Sequence, residues 1–146
     1  MGEPEAAAQR FNERQERGIG GVLPMRFESV AKDRVVMVMD VDHRVHQPMG
    51  LLHGGASMVL AESAASTGGN LNCAPGMVAL GQEINGNHIR SKREGLLRAV
   101  AEPLHVGRKS QVWGIEIRDE AGKLVCVARC TLAVIPAPEG ATPFGT

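Results

Sequence analysis

The chain has 146 residues, 43% of them hydrophobic, and its 16 basic and 16 acidic side chains give no formal net charge at neutral pH. A chain of this size can bury one core without disulfides or metal ions, and its neutrality gives no long-range attraction to nucleic acid or to an anionic membrane. Because only 3% of the residues are aromatic, base-stacking surfaces are not expected either. The composition therefore predicts no nucleic-acid partner and no membrane partner.

The N-terminal part of the chain predicts a helix and then a hairpin. Residues 4–17 are rich in strong helix formers and are followed by Gly18, which is typical of a polar surface helix that stops at a glycine. Two β-prone segments, residues 25–30 and 34–41, flank a short turn and predict two antiparallel strands.

A long apolar helix is predicted next, from about Gly54 to Leu71. Apolar side chains occupy almost every direction around its axis, which is the pattern of a helix buried on all sides. Glu62 lies in its middle, with no basic residue within one helical turn, so we expect its carboxylate to be desolvated. A buried charge needs either a partner or a function.

After this helix the pattern changes to β-structure, with strands predicted at residues 77–89, 95–103, 110–118 and 124–135. Strands and helices do not alternate, so a parallel sheet is not favoured. We expect an α+β fold in which one antiparallel sheet of about six strands curls around the apolar helix. The last residues show no periodicity, and a flexible tail is predicted at 137–146.

The cysteines and the N-terminus indicate a cellular compartment. Cys126 and Cys130 are separated by about 13 Å if they lie on one strand, so they cannot form a disulfide with each other. The chain starts with no charged and apolar leader and has no apolar run approaching about 18 residues, so neither a signal peptide nor a membrane span is expected. These features predict a cytoplasmic protein.

The segment HGGASMVLAES, which contains Glu62, resembles the signature of hotdog-fold acyl-CoA thioesterases. The likeness extends to QPMGLLHGG before Glu62 and to GQEINGNHIRS, EGLLRAVAEPLHVG and QVWGIEIRDEAGKLVCVAR after it. The chain is most similar to the branch that cleaves aryl thioesters of CoA, which includes 1,4-dihydroxy-2-naphthoyl-CoA thioesterases and glutamate-type 4-hydroxybenzoyl-CoA thioesterases. The resemblance implies a hotdog thioesterase domain at 21–136, after an N-terminal helix and linker at 1–20, and hydrolysis of acyl-CoA without a cofactor.

Thioester hydrolysis needs a group that attacks or activates water, and donors for the carbonyl oxygen. The helix start offers backbone N–H groups at Gly54 and Gly55, and Gln47 can add a side-chain amide. The resemblance implies that Glu62 is the nucleophile or general base. It also implies that Gln47 and the Gly54 N–H polarise the thioester carbonyl. It gives His53 the role of shaping the helix entry. Ser66, one turn after Glu62, would orient the carboxylate or the attacking water.

The CoA moiety and the acyl group are expected to contact other residues. Two basic clusters are candidates for the phosphates and the adenine of CoA. Their candidate binding residues, together with Gly55 at the helix entry, are His88, Arg90 and Ser91 after one strand and Gly107, Arg108, Lys109 and Ser110 in a later turn. The acyl group is expected against Met58, Val59 and Ser63 and against a facing subunit.

The spacing of Gly54 and Glu62 predicts an oligomer. They are eight residues apart, or about 12 Å along a helix, so both cannot touch one thioester carbon. Two central helices packed antiparallel across a twofold axis would bring Glu62 of one protomer to Gly54 of the other. We therefore expect an obligate homodimer with active sites at its interface, and a dimer of dimers as the preferred larger assembly. The choice between dimer and tetramer stays open.

Other functions have to be weighed against this one. Proofreading enzymes with the same fold hydrolyse acyl groups that are attached to carrier proteins. A noncatalytic acyl-CoA-binding protein would also fit the fold, although such a binder has no need of a buried acid. Glu62 on its own could be a structural acid. His43, His46 and His53 lack metal-binding spacing, so no metal is expected. Cys73 has no paired base that would make it a nucleophile.

Overall fold

The computed structural model describes residues 2–141, which form two helices and six strands. The helices are α1 (Glu3–Gln15) and α2 (Gly54–Leu71), and the strands are β1 (Met25–Val30), β2 (Val35–Val41), β3 (Met77–His88), β4 (Gly95–Val106), β5 (Ser110–Asp119) and β6 (Leu124–Pro136). Short 3-10 turns lie at Ile19–Gly21 and His43–Val45. Of the predicted tail at 137–146, residues 142–146 lie outside the described residues.

All six strands form one antiparallel sheet in the order β1-β2-β4-β5-β6-β3. The sheet curls around α2, which contacts every strand. The α+β fold with a sheet wrapped around a central helix is thereby confirmed. The core between them contains fully buried side chains from both layers, among them Leu60, Met37, Met39, Leu97, Trp113, Ile115 and Ile117. None of the helices within residues 2–141 is long and apolar enough to cross a membrane.

Strand β4 is longer than predicted. The sequence pattern places its end at Pro103, a residue that cannot donate a hydrogen bond to a neighbouring strand. In the structure the pairing with β5 shifts register between Pro103 and His105, and the strand continues to Val106. The irregularity accommodates the missing donor, so the proline marks a bulge rather than the end of the strand.

Within the single chain, α2 is buried on one side and not on all sides as its sequence predicts. Its buried residues lie on the face toward the sheet and are Ala56, Ser57, Leu60, Ala61, Ala64, Ala65, Thr67, Gly68 and Gly69. The other face, with Met58, Val59, Glu62, Ser63 and Ser66, is partly exposed. The small residues serve close approach to the sheet, since a Cβ atom on Gly68 would lie 2.4 Å from the Trp113 ring. One sheet covers one side of the helix, and Glu62 is on the other.

Helix α1 lies at the surface but has a buried side that its polar composition conceals. Ala8 and Phe11 are buried, and the Phe11 ring packs at 5.6 Å from that of Phe27 on β1. Asn12 accepts a hydrogen bond from the Phe27 N–H (2.6 Å) and donates one to the Phe27 carbonyl (3.0 Å). Gln15 donates to the Met25 carbonyl at 3.0 Å. These bonds fix α1 along the edge strand β1.

Candidate active site

The N-terminus of α2 presents one unpaired backbone donor rather than two. His53 caps the helix, because its Nδ1 accepts from the Gly55 N–H at 2.8 Å, while its own N–H donates to the Val45 carbonyl at 2.8 Å. The expectation that the Gly55 N–H is open to a ligand is therefore wrong. The Gly54 N–H has no partner within residues 2–141. The helix dipole adds partial positive charge to this single donor.

Gln47 is oriented as a donor toward the same place. Its side-chain oxygen accepts from the backbone N–H of Met49, which assigns the other end of the amide as the amino group. That amino group has no partner in the described part of the chain. Gln47 and Gly54 line one cavity of about 330 Å³. Two candidate donors therefore border one cavity, which suits the stabilisation of a developing oxyanion.

One of the two predicted CoA clusters borders this cavity. His88, Arg90 and Ser91 line it together with Gln47 and Gly54. The His88 ring approaches the helix so closely that a Cβ atom on Gly54 would lie 2.6 Å from its Nε2. Only a glycine permits this approach. The structure thus places His88 against the N-terminus of α2 and beside Arg90 and Ser91, the other members of its predicted CoA cluster.

The second predicted CoA cluster lies elsewhere in the chain. Gly107 to Ser110 form the turn between β4 and β5, closed by a hydrogen bond from the Gly107 N–H to the Ser110 carbonyl (2.9 Å). Ser110 pairs with Ala133 of β6, whereas His88 pairs with Cys126 of the same strand. Seven residues of strand correspond to about 23 Å. One chain therefore holds the two clusters at opposite ends of its sheet.

Glu62 lies in a different cavity, of about 520 Å³, which it shares with Ser63, Ser66 and Thr67 of α2. Its side chain is half-buried in the isolated chain, so full desolvation is not achieved by this chain alone. The carboxylate rests on strand β3, where a Cβ atom on Gly81 would lie 2.0 Å from Glu62 Oε1. Gly81 is thus a residue that sequence reasoning missed. A glycine inside a predicted strand was the available signal, since it marks a bulge or a close approach.

Strand β3 is held in place beside Glu62 by Asn70 of α2. The Asn70 amide donates to the Ser66 and Ala79 carbonyls, both at 2.8 Å, and its oxygen accepts from the Ala79 N–H at 3.0 Å. A register shift follows between Gly81 and Glu83. Asn70 therefore links the helical turn of Ser66 to the strand segment on which the carboxylate lies.

The expected acyl-pocket residues are only partly brought together. Ser63 lines the cavity of Glu62, but Met58 and Val59 do not and instead pack half-buried against the core. Met58 reaches β3, where a Cβ atom on Gly86 would lie 2.7 Å from its terminal methyl group. The rest of the Glu62 cavity is formed by α1, the 3-10 turn after it and β1, which sequence reasoning did not include.

The donors and the acid do not meet within one chain. Gly54 and Glu62 are about 12 Å apart along α2, and the two cavities share no lining residue. The remaining nucleophile candidate, Cys73, is not activated, because burial raises the pKa of its thiol. No group of three or more His, Cys, Asp and Glu side chains among residues 2–141 is placed to hold a metal ion.

Comparisons with known proteins identify the family of the chain. The sequence profile of the thioesterase superfamily matches residues 49–126. The chain is 47% identical over 117 residues to a 1,4-dihydroxy-2-naphthoyl-CoA hydrolase of Listeria monocytogenes, covering 80% of this chain and 95% of that one. It is 48% identical over 127 residues to the Escherichia coli protein of the same name, covering 87% and 93%.

Solved structures give the same result for the fold. The crystal structure of thioesterase HI1161 from Haemophilus influenzae superposes with a TM-score of 0.86 at 39% identity, covering 92% of this chain and 94% of that one. Because sequence and fold both match thioesterases over most of their lengths, the helix motif was interpreted correctly: the chain belongs to the thioesterase superfamily, has its hotdog fold and is a thioester hydrolase.

Proposed function

We propose that the protein hydrolyses aryl or similarly bulky acyl-CoA thioesters, such as 1,4-dihydroxy-2-naphthoyl-CoA or hydroxybenzoyl-CoA, to the free acid and CoA. The observation that carries the proposal is the position of the Glu62 carboxylate, which lies on Gly81 and faces a cavity large enough for an aryl group. The names of the two curated relatives support the choice of acyl group. The free thiols of this chain suit a reducing cytoplasm, where we place the activity.

The reaction follows from the donors and the acid. The thioester carbonyl oxygen accepts from the Gly54 N–H and the Gln47 amide, which stabilise the negative charge that develops on it. Glu62 either takes a proton from a water that attacks the carbonyl carbon, or attacks that carbon itself to form an anhydride that water then hydrolyses. In both routes the C–S bond breaks and CoA leaves as the thiolate. Ser66, one turn along α2, orients the carboxylate or the water.

A twofold dimer completes the site. The hydrogen bond from Gln111 to the Gly69 carbonyl (3.1 Å) places the start of β5, and with it the 107–110 turn, near the C-terminal end of α2. Gln47, Gly54 and His88 lie at the N-terminal end. Antiparallel pairing of two α2 helices sets the C-terminal half of one beside the N-terminal half of the other. Each site would then combine Gly54 and the His88 cluster of one protomer with Glu62 and the 107–110 turn of the second.

The assembly we propose is therefore an obligate homodimer, with a dimer of dimers as the larger form. This arrangement also supports the two CoA clusters, Arg90 with Ser91 and Arg108 with Lys109, as phosphate and adenine contacts contributed by different protomers. Sedimentation velocity across a concentration series measures the assembly. Full activity at concentrations where only monomer is present would contradict it.

Release of free thiol from a panel of aryl, medium-chain and long-chain CoA thioesters tests the function. We expect the highest kcat/KM for aryl groups, and we expect Glu62→Gln to abolish turnover while its circular dichroism spectrum is unchanged. Glu83→Gln, an exposed acid on β3, is the matched control and should retain activity. Equal or higher kcat/KM for the same acyl group on a carrier protein would favour a proofreading enzyme, and thioester binding without thiol release would show a noncatalytic binder.

A further inference from the structure

We propose that the N-terminal segment, residues 11–20, forms the outer wall of the acyl pocket and selects acyl groups that carry hydroxyl or carboxylate oxygens, with Arg17 as the residue that recognises them. This inference rests on the proposed thioester hydrolysis and specifies the substrate class of the same site. Neither α1 nor the turn that follows it was assigned a role by the sequence pattern.

The position of Glu62 decides which part of the substrate enters the cavity. The carboxylate or its activated water must reach the carbonyl carbon, so the group bonded to that carbon extends into the space beside Glu62. That space is the 520 Å³ cavity between α2 and the N-terminal segment, and its volume falls within the roughly 300–1,000 Å³ that ligand sites span. The partner that supplies Gly54 would hold the carbonyl oxygen of the same thioester.

The lining of the cavity is suited to an aromatic ring with polar substituents. Phe11, Met25 and Phe27 provide an apolar surface, and Ile19, which is 55% exposed, stands at the rim. Aromatic and thioether side chains favour contact with a flat ring. A saturated acyl chain could also contact this apolar surface, but it would make no hydrogen bond or ion pair with the polar groups beside it.

The N-terminal segment contributes three of those polar side chains, and α2 contributes the others. Arg14, Gln15 and Arg17 line the cavity, and Gln15 already donates to the Met25 carbonyl and to Asn12. Arg17 is exposed and makes no ion pair or hydrogen bond within residues 2–141. A guanidinium group binds carboxylate and phenolate oxygens in a fixed geometry and also stacks on aromatic faces. Arg17 is therefore the group with the capacity to recognise an oxygen substituent.

This wall is fixed before substrate arrives. Asn12 makes two hydrogen bonds to the Phe27 backbone, and Gln15 donates one to the Met25 carbonyl. Helix α1 is therefore attached to strand β1 at two of its residues. The Phe11 and Phe27 rings pack beneath. A rigid wall discriminates between acyl groups better than a mobile one, because less conformational entropy is lost on binding.

The test compares kcat/KM for benzoyl-CoA, 4-hydroxybenzoyl-CoA and 4-carboxybenzoyl-CoA in the unmodified protein and in Arg17→Ala. We expect about a tenfold loss for the two oxygen-bearing substrates and little change for benzoyl-CoA, with partial recovery in Arg17→Lys. Arg10→Ala is the matched control, because Arg10 is an arginine on α1, the helix that precedes Arg17, and does not line this cavity. An unchanged ratio between substrates, or an equal loss for all three, would overturn the inference.

A second variant tests the occupant of the cavity. Ser63→Leu adds bulk between α2 and the N-terminal segment, so it should raise KM for a naphthoyl-CoA well above its effect on acetyl-CoA. An equal effect on both would mean that the cavity holds the pantetheine arm and would contradict the proposal. If the unmodified protein released no thiol from any thioester, the proposed function itself would fail, whereas active protein with unchanged substrate ratios would remove only this inference.

Discussion

The Glu62 carboxylate and the backbone of Gly81 are in direct contact, so close that a Cβ atom on residue 81 would come within 2.0 Å of Glu62 Oε1. The atom that a side chain would displace is the end of a flexible glutamate, not backbone. A methyl group at this position would therefore move the carboxylate rather than the strand. We infer that Gly81 positions the carboxylate of Glu62.

We predict that Gly81→Ala lowers kcat by about 100-fold with the fold intact, because a shift of about 1 Å in a reacting group has an effect of that size. KM should change much less, since the residues we propose for CoA binding lie elsewhere. Gly114→Ala is the control, because its Cβ would meet Leu104 at an ordinary 3.4 Å. Steady-state kinetics measure kcat and KM of each variant, and the thermal midpoint shows whether its fold is intact. Normal kcat in Gly81→Ala would show that the carboxylate tolerates displacement.

Two buried hydroxyls on α2 should differ in their contribution to stability. The Ser57 hydroxyl is fully buried and has no hydrogen-bond partner among residues 2–141, whereas Thr67 Oγ1 donates to the Ser63 carbonyl at 2.9 Å. We expect Ser57→Ala to keep or raise the free energy of unfolding, by up to about 1 kcal/mol, and Thr67→Val to lower it by about 1 kcal/mol. Urea unfolding measures both. A loss of more than about 1 kcal/mol in Ser57→Ala would mean that this hydroxyl has a partner in the folded protein.

The cysteines are expected to be unreactive in the folded protein. Burial, with a further contribution from the charges of Glu62 and Glu83, raises the pKa of Cys130 to about 12, and burial also raises the pKa values of Cys126 and Cys73. At pH 8 we expect no labelling of Cys126 or Cys130 by iodoacetamide, slow labelling of Cys73, and labelling of all three in guanidinium chloride. Cys73→Ser should keep full turnover. Loss of activity in Cys73→Ser would indicate that Cys73 is the nucleophile and would contradict this prediction.

The ion pair between Lys92 and Glu120 gives a pH-dependent contribution to stability. Hydrogen bonds from Lys92 and from the Leu96 N–H lower the pKa of Glu120 from 4.5 to about 2. Because the folded-state pKa is the lower one, the contribution is fully present above about pH 4.5 and is lost as the pH falls toward 2. Glu120→Gln should therefore lower Tm by a constant amount between pH 7 and about 5.5, and by a shrinking amount below pH 4.5. A difference that does not shrink by pH 3 would contradict this assignment.

The order of the elements and the acid on α2 could be predicted because both depend on short stretches of sequence. Period-two patterns and turn residues located the strands, and Glu62 is conspicuous in an apolar helix. The single chain buries only one side of α2, although the sequence pattern is apolar on every side. Alanines and glycines such as Gly68 make a helix apolar on every side, yet they serve close packing against Trp113 on only one.

The contacts that surround the acid were beyond sequence reasoning because they join distant parts of the chain. Gly81 meets Glu62 only through the placement of β3 at the edge of the sheet, and Phe11 meets the same cavity only through the attachment of α1 to β1. The separation of His88 from Ser110 likewise follows from their register on β6. Strand order and register are set by the whole fold rather than by local pattern.

The central claim is that each active site combines Gln47 and Gly54 of one protomer with Glu62 of the second. Glu62→Gln removes the acid, and Gln47→Ala removes one carbonyl donor, which should cost about 100-fold or more in kcat. Each homodimer should then be inactive or nearly so. A mixed dimer would contain one site with both defects and one site with neither.

Co-expression of the two variants under different affinity tags, followed by measurement of thiol release, is the most direct test. Random mixing makes half of the dimers mixed, so about one quarter of the sites should be intact and about one quarter of the unmodified activity should return. Purification through both tags should raise this to about one half of the activity per dimer. Activity no higher than the sum of the two separate variants would show that one chain holds the whole site, and would contradict the account.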